Sequence, residues 1–296
     1  MRYDTKTFID RVAVKAAIPI GQTTYTAEEL LDLANQELQS TILPEILRTR
    51  EDYYLTQQQI SVKAGQESIP MPERAVAGKI NDVQIVESNE RRSIPRITTS
   101  EITGTQEGSP ESFYFRGPYL GLNPIPSRDI EIIVSYYSRP SALIIPEYGY
   151  TLLDIVVDSS GEPYYNVDSK VTNLHDNEKV DFINSSGLHH TLYQDIEIDY
   201  IDEGTRVYLI DPPANIPVGS YMVPAGQSLF IQCPQELYPW LEELVVVKIH
   251  ESNGDFQAMK LAQEKANLIR EQILSLLSPR AETESQIITN TIWRYF

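Results

Sequence analysis

Between residues 53 and 233 the sequence repeats one pattern, in which short β-prone runs alternate with Gly, Pro, Asn and Asp. The runs cover residues 53–62, 82–86, 113–115, 130–137, 152–157, 179–183, 196–201 and 207–210. Short strands at regular spacing, with turn residues between them, are typical of a sandwich or a barrel. This pattern predicts a long antiparallel β region, and Pro140 and Pro146 favour its division into two modules near residues 140–150.

A helical pattern precedes the β region. Thr26 and Glu29 form a capping-box signature, which marks the start of a helix. An apolar stripe with steps of three and four residues follows. It consists of Ala27, Leu30, Leu31, Ala34, Leu38 and Ile42. Pro44 is expected to break or kink this helix and can open a second, short helix that runs through Arg50. A further short helix is predicted over residues 7–17.

A second helical pattern follows the β region. From Leu237 to Ile249 the sequence is apolar on nearly all sides of a helix, which predicts burial against several neighbours. Asn253 and Gly254 interrupt the pattern, and a second stripe with several small residues follows. It consists of Ala258, Ala262, Ala266, Ile269, Ile273 and Leu277. Small residues allow helices to approach closely, so we expect the two ends of the chain to pack together.

These patterns together predict an α+β fold. Its core element is a helical bundle formed by the N- and C-terminal regions, with the antiparallel β region (sandwich or barrel) inserted between them and an extended C-terminal tail. The predicted domains are a discontinuous helical domain at 1–52 and 234–278, the β region at 53–233, and the tail at 279–296.

The tail is unusual for a chain terminus. Pro279 blocks continuation of the last helix, a polar connector covers 281–286, and residues 287–296 are β-branched or aromatic with one charged side chain. Termini are ordinarily polar and frayed unless something holds them. Two interpretations are open: a strand that docks on a partner's sheet or groove, or an edge strand of its own domain. The candidate docking residues are Ile287, Ile288, Ile292, Trp293, Tyr295 and Phe296.

Composition restricts the function classes. With 42 acidic and 24 basic residues, the net charge of −18 disfavours nucleic-acid recognition over a broad face. The same charge is compatible with a protein that surrounds DNA without gripping it. No apolar run approaches the length of a membrane span, and the first residues lack an apolar signal core. The single cysteine, Cys233, excludes an internal disulfide and a cysteine-based metal cage.

Catalytic signatures are not found in the sequence. It contains no glycine-rich phosphate loop, no nucleophile elbow and no HExxH motif, so we predict no enzymatic activity, no cofactor and no metal. Asp195, Glu197 and Asp199 alternate with apolar residues, which on a strand places three carboxylates on one face. A solvated face, a calcium site and a charged channel wall are the alternatives. Calcium needs six or more oxygens around one point, whereas a strand arranges its carboxylates in a straight row. The pattern therefore favours a solvated face or a channel wall over a calcium site. A glycosidase-type carboxylate pair is neither indicated nor excluded.

Tyrosine is abundant, with 18 residues and adjacent pairs at 53–54, 136–137 and 164–165. Tyrosines on strands can line a sugar-binding or protein-binding surface. More often they lie at the boundary of a β core with the hydroxyl in water, and we favour that interpretation for each pair.

The order of several fragments resembles the head-to-tail connector (adaptor) proteins of tailed bacteriophages. These fragments cover residues 26–35, 43–44, 50–54, 69–75, 93–97, 113–117, 136–140, 234–241 and 276–280. The resemblance extends over most of the chain but includes no catalytic signature. It implies an adaptor ring, typically of twelve subunits, between the portal and the tail, with helices side by side around a DNA channel and the C-terminal segment reaching the portal.

The resemblance also implies partners and a location. The expected partners are the portal protein, the tail nozzle or tube proteins and further copies of the chain, with DNA only as passing cargo. The expected location is the virion neck, after assembly in the host cytoplasm. The candidate channel-facing acids are Glu28, Asp32, Glu37, Asp195, Glu197 and Asp199. The alternative is a tail-associated carbohydrate- or receptor-binding β module, which would explain the tyrosines but not the two helical blocks.

Overall fold

The computed structural model describes residues 3–18, 25–87, 90–102, 106–157, 161–185, 190–213 and 215–277. The predicted tail at 279–296 lies outside the described residues. So do the six candidate docking residues assigned to it, Ile287, Ile288, Ile292, Trp293, Tyr295 and Phe296.

Helices lie near both ends of the described chain. They are α1 (Thr5–Lys15), α2 (Ala27–Glu37), α3 (Leu43–Thr49), α4 (Tyr238–Ser252) and α5 (Phe256–Leu277). The capping box forms as predicted: the Glu29 amide donates to the Thr26 hydroxyl at 3.2 Å, and the Thr26 amide donates to the Glu29 carboxylate at 2.7 Å. Between α2 and α3 the chain stays helical through a π-helical segment, Leu38–Ile42, and Pro44 lies in the first turn of α3.

Strands occupy most of the chain between α3 and α4. They are β1 (Leu55–Val62), β2 (Ser68–Pro70), β3 (Ala75–Glu87), β4 (Glu90–Ser93), β5 (Glu107–Gly108), β6 (Ser112–Arg116), β7 (Tyr119–Asn123), β8 (Ile125–Pro126), β9 (Ile130–Ser138), β10 (Ala142–Leu143), β11 (Tyr150–Val157), β12 (Pro163–Val167), β13 (Lys179–Ile183), β14 (Thr191–Asp202), β15 (Arg206–Leu209), β16 (Tyr221–Pro224) and β17 (Gln227–Ser228).

The first group of strands forms two sheets on one apolar core, which we call the first β unit. One sheet has the order β1-β9-β3-β4 and the other the order β2-β7-β6. Side chains from both sheets meet in the same buried cluster, for example Val83 of β3, Leu120 of β7 and Ile132 of β9. In a two-layer β core, each strand directs every second side chain inward. Here strands that are distant in the sequence supply these inward side chains to one shared core.

The second group forms a closed six-stranded barrel. Its strand order is β11-β12-β15-β14-β13-β16, with β16 pairing back to β11. Each strand contributes inward side chains to a separate core, including Tyr150, Phe182 and Met222, all at most 1% exposed. Closure removes the open edges that an isolated sheet of this size would expose.

The predicted fold class is wrong. Strands hold 38% of the residues and helices 33%, so this is a β-rich, multi-sheet protein and not an α+β protein built on a helical bundle of its N- and C-terminal regions. The reason is physical: the β segments make two apolar cores of their own, one of them a closed barrel. The strong helical periodicity at both ends of the sequence led to the error, because short strands leave a weaker signal.

The helices share a third apolar cluster. Within it α4 contacts α1, α2 and α5, and is buried on nearly all sides, as its apolar sequence predicts. Trp240 and Ile249, near its two ends, are at most 2% exposed. Among the described helices, none combines the length and the apolar character that crossing a membrane requires.

Candidate assembly surfaces

One side of α5 carries exposed leucines. Leu261, Leu268 and Leu276 are 63%, 61% and 57% exposed, whereas Ala266 and Ile273 face the helical cluster. The leucines are seven and eight residues apart, close to two helical turns, so they lie on one side of the helix. We call these three residues the leucine face. A single exposed leucine needs no explanation, but an aligned set of three is typical of a contact surface.

Two ion pairs join α5 to the neighbouring helices. Arg270 binds Glu45 of α3 at 3.2 Å, and Lys265 binds Glu243 of α4 at 2.6 Å. Burial opposes ionisation of Glu45, but hydrogen bonds from Arg48 and Arg270 outweigh it and lower the pKa of this carboxyl. Arg270 lies on the side of α5 opposite the leucine face, whereas Lys265 is one helical turn from Leu261 and Leu268 and reaches from the edge of that face to α4.

Two adjacent acids on α4 form a buried acid pair. Glu242 and Glu243 are each 2% exposed. Lys15 of α1 binds both, at 2.7 Å and 2.6 Å, and Lys265 of α5 also binds Glu243. The Tyr3 hydroxyl donates to Glu242. Buried charges need partners of this kind, so the acid pair ties three helices together.

The pKa values of Glu243 and Lys15 both shift in the direction that favours the charged form. Burial raises the pKa of Glu243, but hydrogen bonds from Lys15 and Lys265 outweigh it and bring the pKa below its ordinary value. Burial alone would lower the pKa of Lys15, but its hydrogen bonds to the acid pair raise it instead. Both members of the ion pair are therefore charged at neutral pH, and their role is to position the helices.

The candidate channel-facing acids of α2 are placed differently from one another. Glu28 and Asp32 are exposed, on the side of α2 opposite its buried stripe. Glu37 is 7% exposed, and its carboxylate accepts a hydrogen bond from the Thr41 hydroxyl at 2.8 Å. Glu28 and Asp32 can contribute to an acidic surface, whereas Glu37 is buried and its carboxylate is bonded to Thr41 within the same helical segment.

The acids of β14 do not form one straight row. Asp195 has a φ of +59°, at an irregularity in the pairing of β14 with β13. Its carboxylate accepts a hydrogen bond from Arg74 at 2.9 Å. Glu197 lies opposite Lys179 of β13, and Asp199 is exposed farther along the strand. With this left-handed backbone, the side chain of Asp195 points toward Arg74 of the first β unit and away from the carboxylates of Glu197 and Asp199.

Asp181 is the buried partner that sequence reasoning missed. It is fully buried on β13, and both Nη atoms of Arg74 donate to it, at 2.7 Å and 2.8 Å. The amides of Asp195 and Gly226 donate to the same carboxylate, each at 3.0 Å. The signal was an aspartate inside the apolar run of β13, because an acid is fully buried only when it is paired. Arg74 and Asp181 therefore clamp the first β unit to the barrel.

Two of the three tyrosine pairs contribute to β cores: Tyr136 belongs to the core of the first β unit and Tyr165 to that of the barrel, and both are at most 3% exposed. Tyr54 instead belongs to the helical cluster, and its hydroxyl donates to the Gln232 carbonyl at 2.8 Å, so the first pair differs from the favoured interpretation. On the outside of the barrel, Tyr200 and Tyr208 stack with ring centroids 4.1 Å apart and 14° between their planes. Each ring therefore covers one face of the other.

Within the described ranges, no group of three or more His, Cys, Asp or Glu residues is placed to hold a metal ion. Cys233 is buried, and its burial raises the pKa of the thiol above its ordinary value, which makes it a poor nucleophile. Comparison of the sequence with protein-family models and with curated proteins gives no match.

Proposed function

We propose that this protein is a structural component of a phage virion, a head-to-tail adaptor that forms a ring under the portal and joins the capsid to the tail. The observation that carries the proposal is the leucine face of α5, three exposed leucines on one side of the last described helix, which precedes the C-terminal tail. In this role the chain is not an enzyme, and its residues act by contact with neighbouring subunits and virion proteins.

The magnitude of the apolar contact fits a repeated assembly interface. Each leucine of the face keeps about 60% of its side-chain surface in water. Covering all three would contribute roughly 3–5 kcal/mol, from about 1.5–3 kcal/mol for a fully buried leucine. Association costs at least this much in lost translational and rotational freedom, so one such contact is weak alone. In a ring every copy makes two of these contacts, and further surfaces add to them.

The charge of the chain supports the same role. A net charge of −18, with Glu28 and Asp32 exposed on α2, gives a surface that repels the phosphate backbone. An acidic wall lets DNA pass without retaining it. A ring of about twelve copies, the portal and tail partners and the location in the virion neck rest on the resemblance to phage adaptors, and the leucine face supplies a surface for such contacts.

Native mass spectrometry tests this proposal. The full chain is measured alone and with the portal protein of the same virion, and we expect a ring or a portal-bound assembly. Leu268→Asp places a charge on the leucine face and should shift the population to monomers. Asn267→Asp is the matched control, because it adds the same charge at the neighbouring exposed position off the face, and should assemble like the parent chain. A persistent monomer that ignores the portal would overturn the proposal.

A further inference from the structure

The sheet β1-β9-β3-β4 has two different edges. Its β4 edge is four residues long, and three of them are charged: Glu90, Arg91 and Arg92. Its β1 edge is eight residues long and contains neither a charged residue nor a proline. Natural sheets protect their edges with short strands, charges, prolines or bulges, because an unprotected edge pairs with other chains. The β4 edge is protected in this way and the β1 edge is not.

The outer side of β1 is open from Thr56 to Val62. β1 pairs with β9 in one unbroken register, from Leu55 opposite Tyr137 to Val62 opposite Ile130. Among the residues that the structure describes, no second strand pairs with β1, and the backbone bond to it from outside the sheet is at its first residue, where the Leu55 amide donates to the Asp52 carbonyl. Every second residue of an antiparallel edge strand presents its N–H and C=O outward. The edge therefore offers a regular row of backbone donors and acceptors.

A cavity of about 370 Å³ adjoins this edge. Gln58 and Ile60 of β1 line it, together with Met71, Pro72 and Tyr136. Its lining also includes charged residues: Glu73, Arg74, Lys179 and Asp195. Alternate side chains of a strand point to the same face, so a strand added beside β1 would direct every second side chain to the side of Gln58 and Ile60. Strand addition of this kind takes its affinity from backbone hydrogen bonds and its specificity from such pockets.

We infer that the β1 edge accepts residues 287–296 of a second copy of this chain as an added strand. That segment has ten residues, is rich in β-branched and aromatic side chains and carries a single charge, at Arg294. Its ten residues are enough to cover the eight of β1, and its apolar side chains can contact the apolar part of the cavity, which Ile60, Met71 and Pro72 form. The inference rests on the proposed function, because it names the surface through which one adaptor copy holds the next.

The leucine face indicates that the donor is a second copy. Leu276 belongs to that face, and the described part of α5 ends one residue later, at Leu277. A neighbouring copy that covers the leucine face therefore lies close to the C-terminal end of α5, after which the C-terminal segment begins. The nine residues 278–286 can span about 30 Å, at roughly 3.3–3.6 Å per residue. Each copy would donate its C-terminal segment to one neighbour and accept the segment of another at its β1 edge. Because these two surfaces differ, the contact is head-to-tail and can repeat around a ring.

Hydrogen exchange of the full chain tests the donor side. We expect the β1 amides to exchange at least tenfold more slowly in the parent chain than in Ile292→Asp, while the β4 amides are unchanged. Ser285→Asp is the matched control, because it adds the same charge outside the ten-residue segment, and should keep the protection. Dilution should remove the protection, since the strand comes from another molecule. Protection that is independent of concentration would mean that the segment folds onto its own copy, and would overturn the inference.

Two substitutions on β1 test the acceptor side. Gln58→Lys places a charge beside the cavity and should release the β1 protection at least tenfold. Gln57→Lys adds the same charge one residue away, on the opposite face, where Gln57 donates to Ser135 at 3.2 Å. It should change the protection by less than threefold. Rings or portal complexes that form with an unprotected β1 would overturn the inference and leave the proposed function in place. A monomer that ignores the portal would overturn both.

Discussion

Arg74 and Asp181 join the first β unit to the barrel through a two-pronged ion pair, although 107 residues separate them in the sequence. Asp181 is fully buried, and its four donors come from Arg74 and from two backbone amides. Both side chains are held between units that each possess their own apolar core. The ion pair therefore fixes the position of the first β unit relative to the barrel, and we expect its loss to destabilise the contact between them.

Arg74→Met removes the cation and leaves a buried carboxylate with only two amide donors. Removing one partner of a buried ion pair costs about 3–5 kcal/mol, because the remaining charge is uncompensated. We expect a loss of this size in the unfolding free energy of the barrel, measured by hydrogen exchange of the β13 amides. Arg139→Met is the control, since Arg139 lies nearby with an exposed side chain, and should change the value by no more than about 0.5 kcal/mol. Equal effects of the two substitutions would contradict the clamp.

The acid pair predicts a pH dependence of stability in the acid range. The folded pKa of Glu243 lies below its ordinary value of 4.5, so its contribution is fully present above that pH and is lost as the pH falls through the folded pKa. We expect the Tm difference between the parent chain and Glu243→Gln to shrink as the pH is lowered from 7 to below 4.5. Glu264→Gln, which removes an exposed acid from α5, should show no such trend. A Tm difference that is constant with pH would contradict ionisation of Glu243 in the folded state.

Lys15 predicts the opposite trend in the alkaline range. Its folded pKa is raised above the ordinary value of 10.5, so its contribution is fully present below that pH and is lost as the pH rises through the folded pKa. Lys15→Met should therefore destabilise the chain at pH 8 and lose that effect at strongly alkaline pH, measured by thermal unfolding. Lys6→Met, which removes an exposed lysine from the same helix, provides the comparison. Loss of the Lys15 contribution well below pH 10.5 would contradict the raised pKa.

Local features of this fold were predictable because their causes are local. The capping box of Thr26 and Glu29 needs four consecutive residues, and the burial of α4 follows from its own apolar sequence. Pro44 predicts the start of α3, whereas the π-helical segment before it was not predicted from the sequence. Predictions of this kind depend on 3.6-residue periodicity and on turn chemistry, both of which are visible in one short window.

The features that were missed depend on contacts between distant residues. Closure of the barrel requires β16 to pair with both β11 and β13, and no local pattern records those partners. The placement of Asp195 depends on its positive φ and on Arg74, so the even spacing of acids in β14 misled the prediction of a single carboxylate row. The β-rich class likewise emerges from pairing across the chain, and strand pairing is the least local interaction in a protein.

Substitutions on the two sides of α5 should have separate effects on folding and on self-association. Leu268→Ala removes a side chain that is 61% exposed, so the unfolding free energy of the monomer should change by no more than about 0.5 kcal/mol. Self-association should weaken about tenfold, which corresponds to about 1.4 kcal/mol, measured by sedimentation equilibrium. Leu277→Ala truncates a residue that is 4% exposed and should destabilise the monomer by about 2–5 kcal/mol. A large stability loss in Leu268→Ala, with association unchanged, would contradict assignment of this face to an interface.

Deletion of residues 285–296 tests the role of the C-terminal segment in the virion. The apolar cores of the described residues use none of these residues, so the truncated protein should still fold, as measured by far-UV circular dichroism. Without a docking strand, capsids should fill with DNA but fail to retain it or to attach tails, measured by electron microscopy and by the nuclease sensitivity of the packaged DNA. Replacing the same residues with a Gly/Ser sequence of equal length controls for the length of the chain and should give the same defect. Normal tail attachment in either variant would contradict docking by this segment, because the backbone and side-chain contacts that it supplies would then be dispensable.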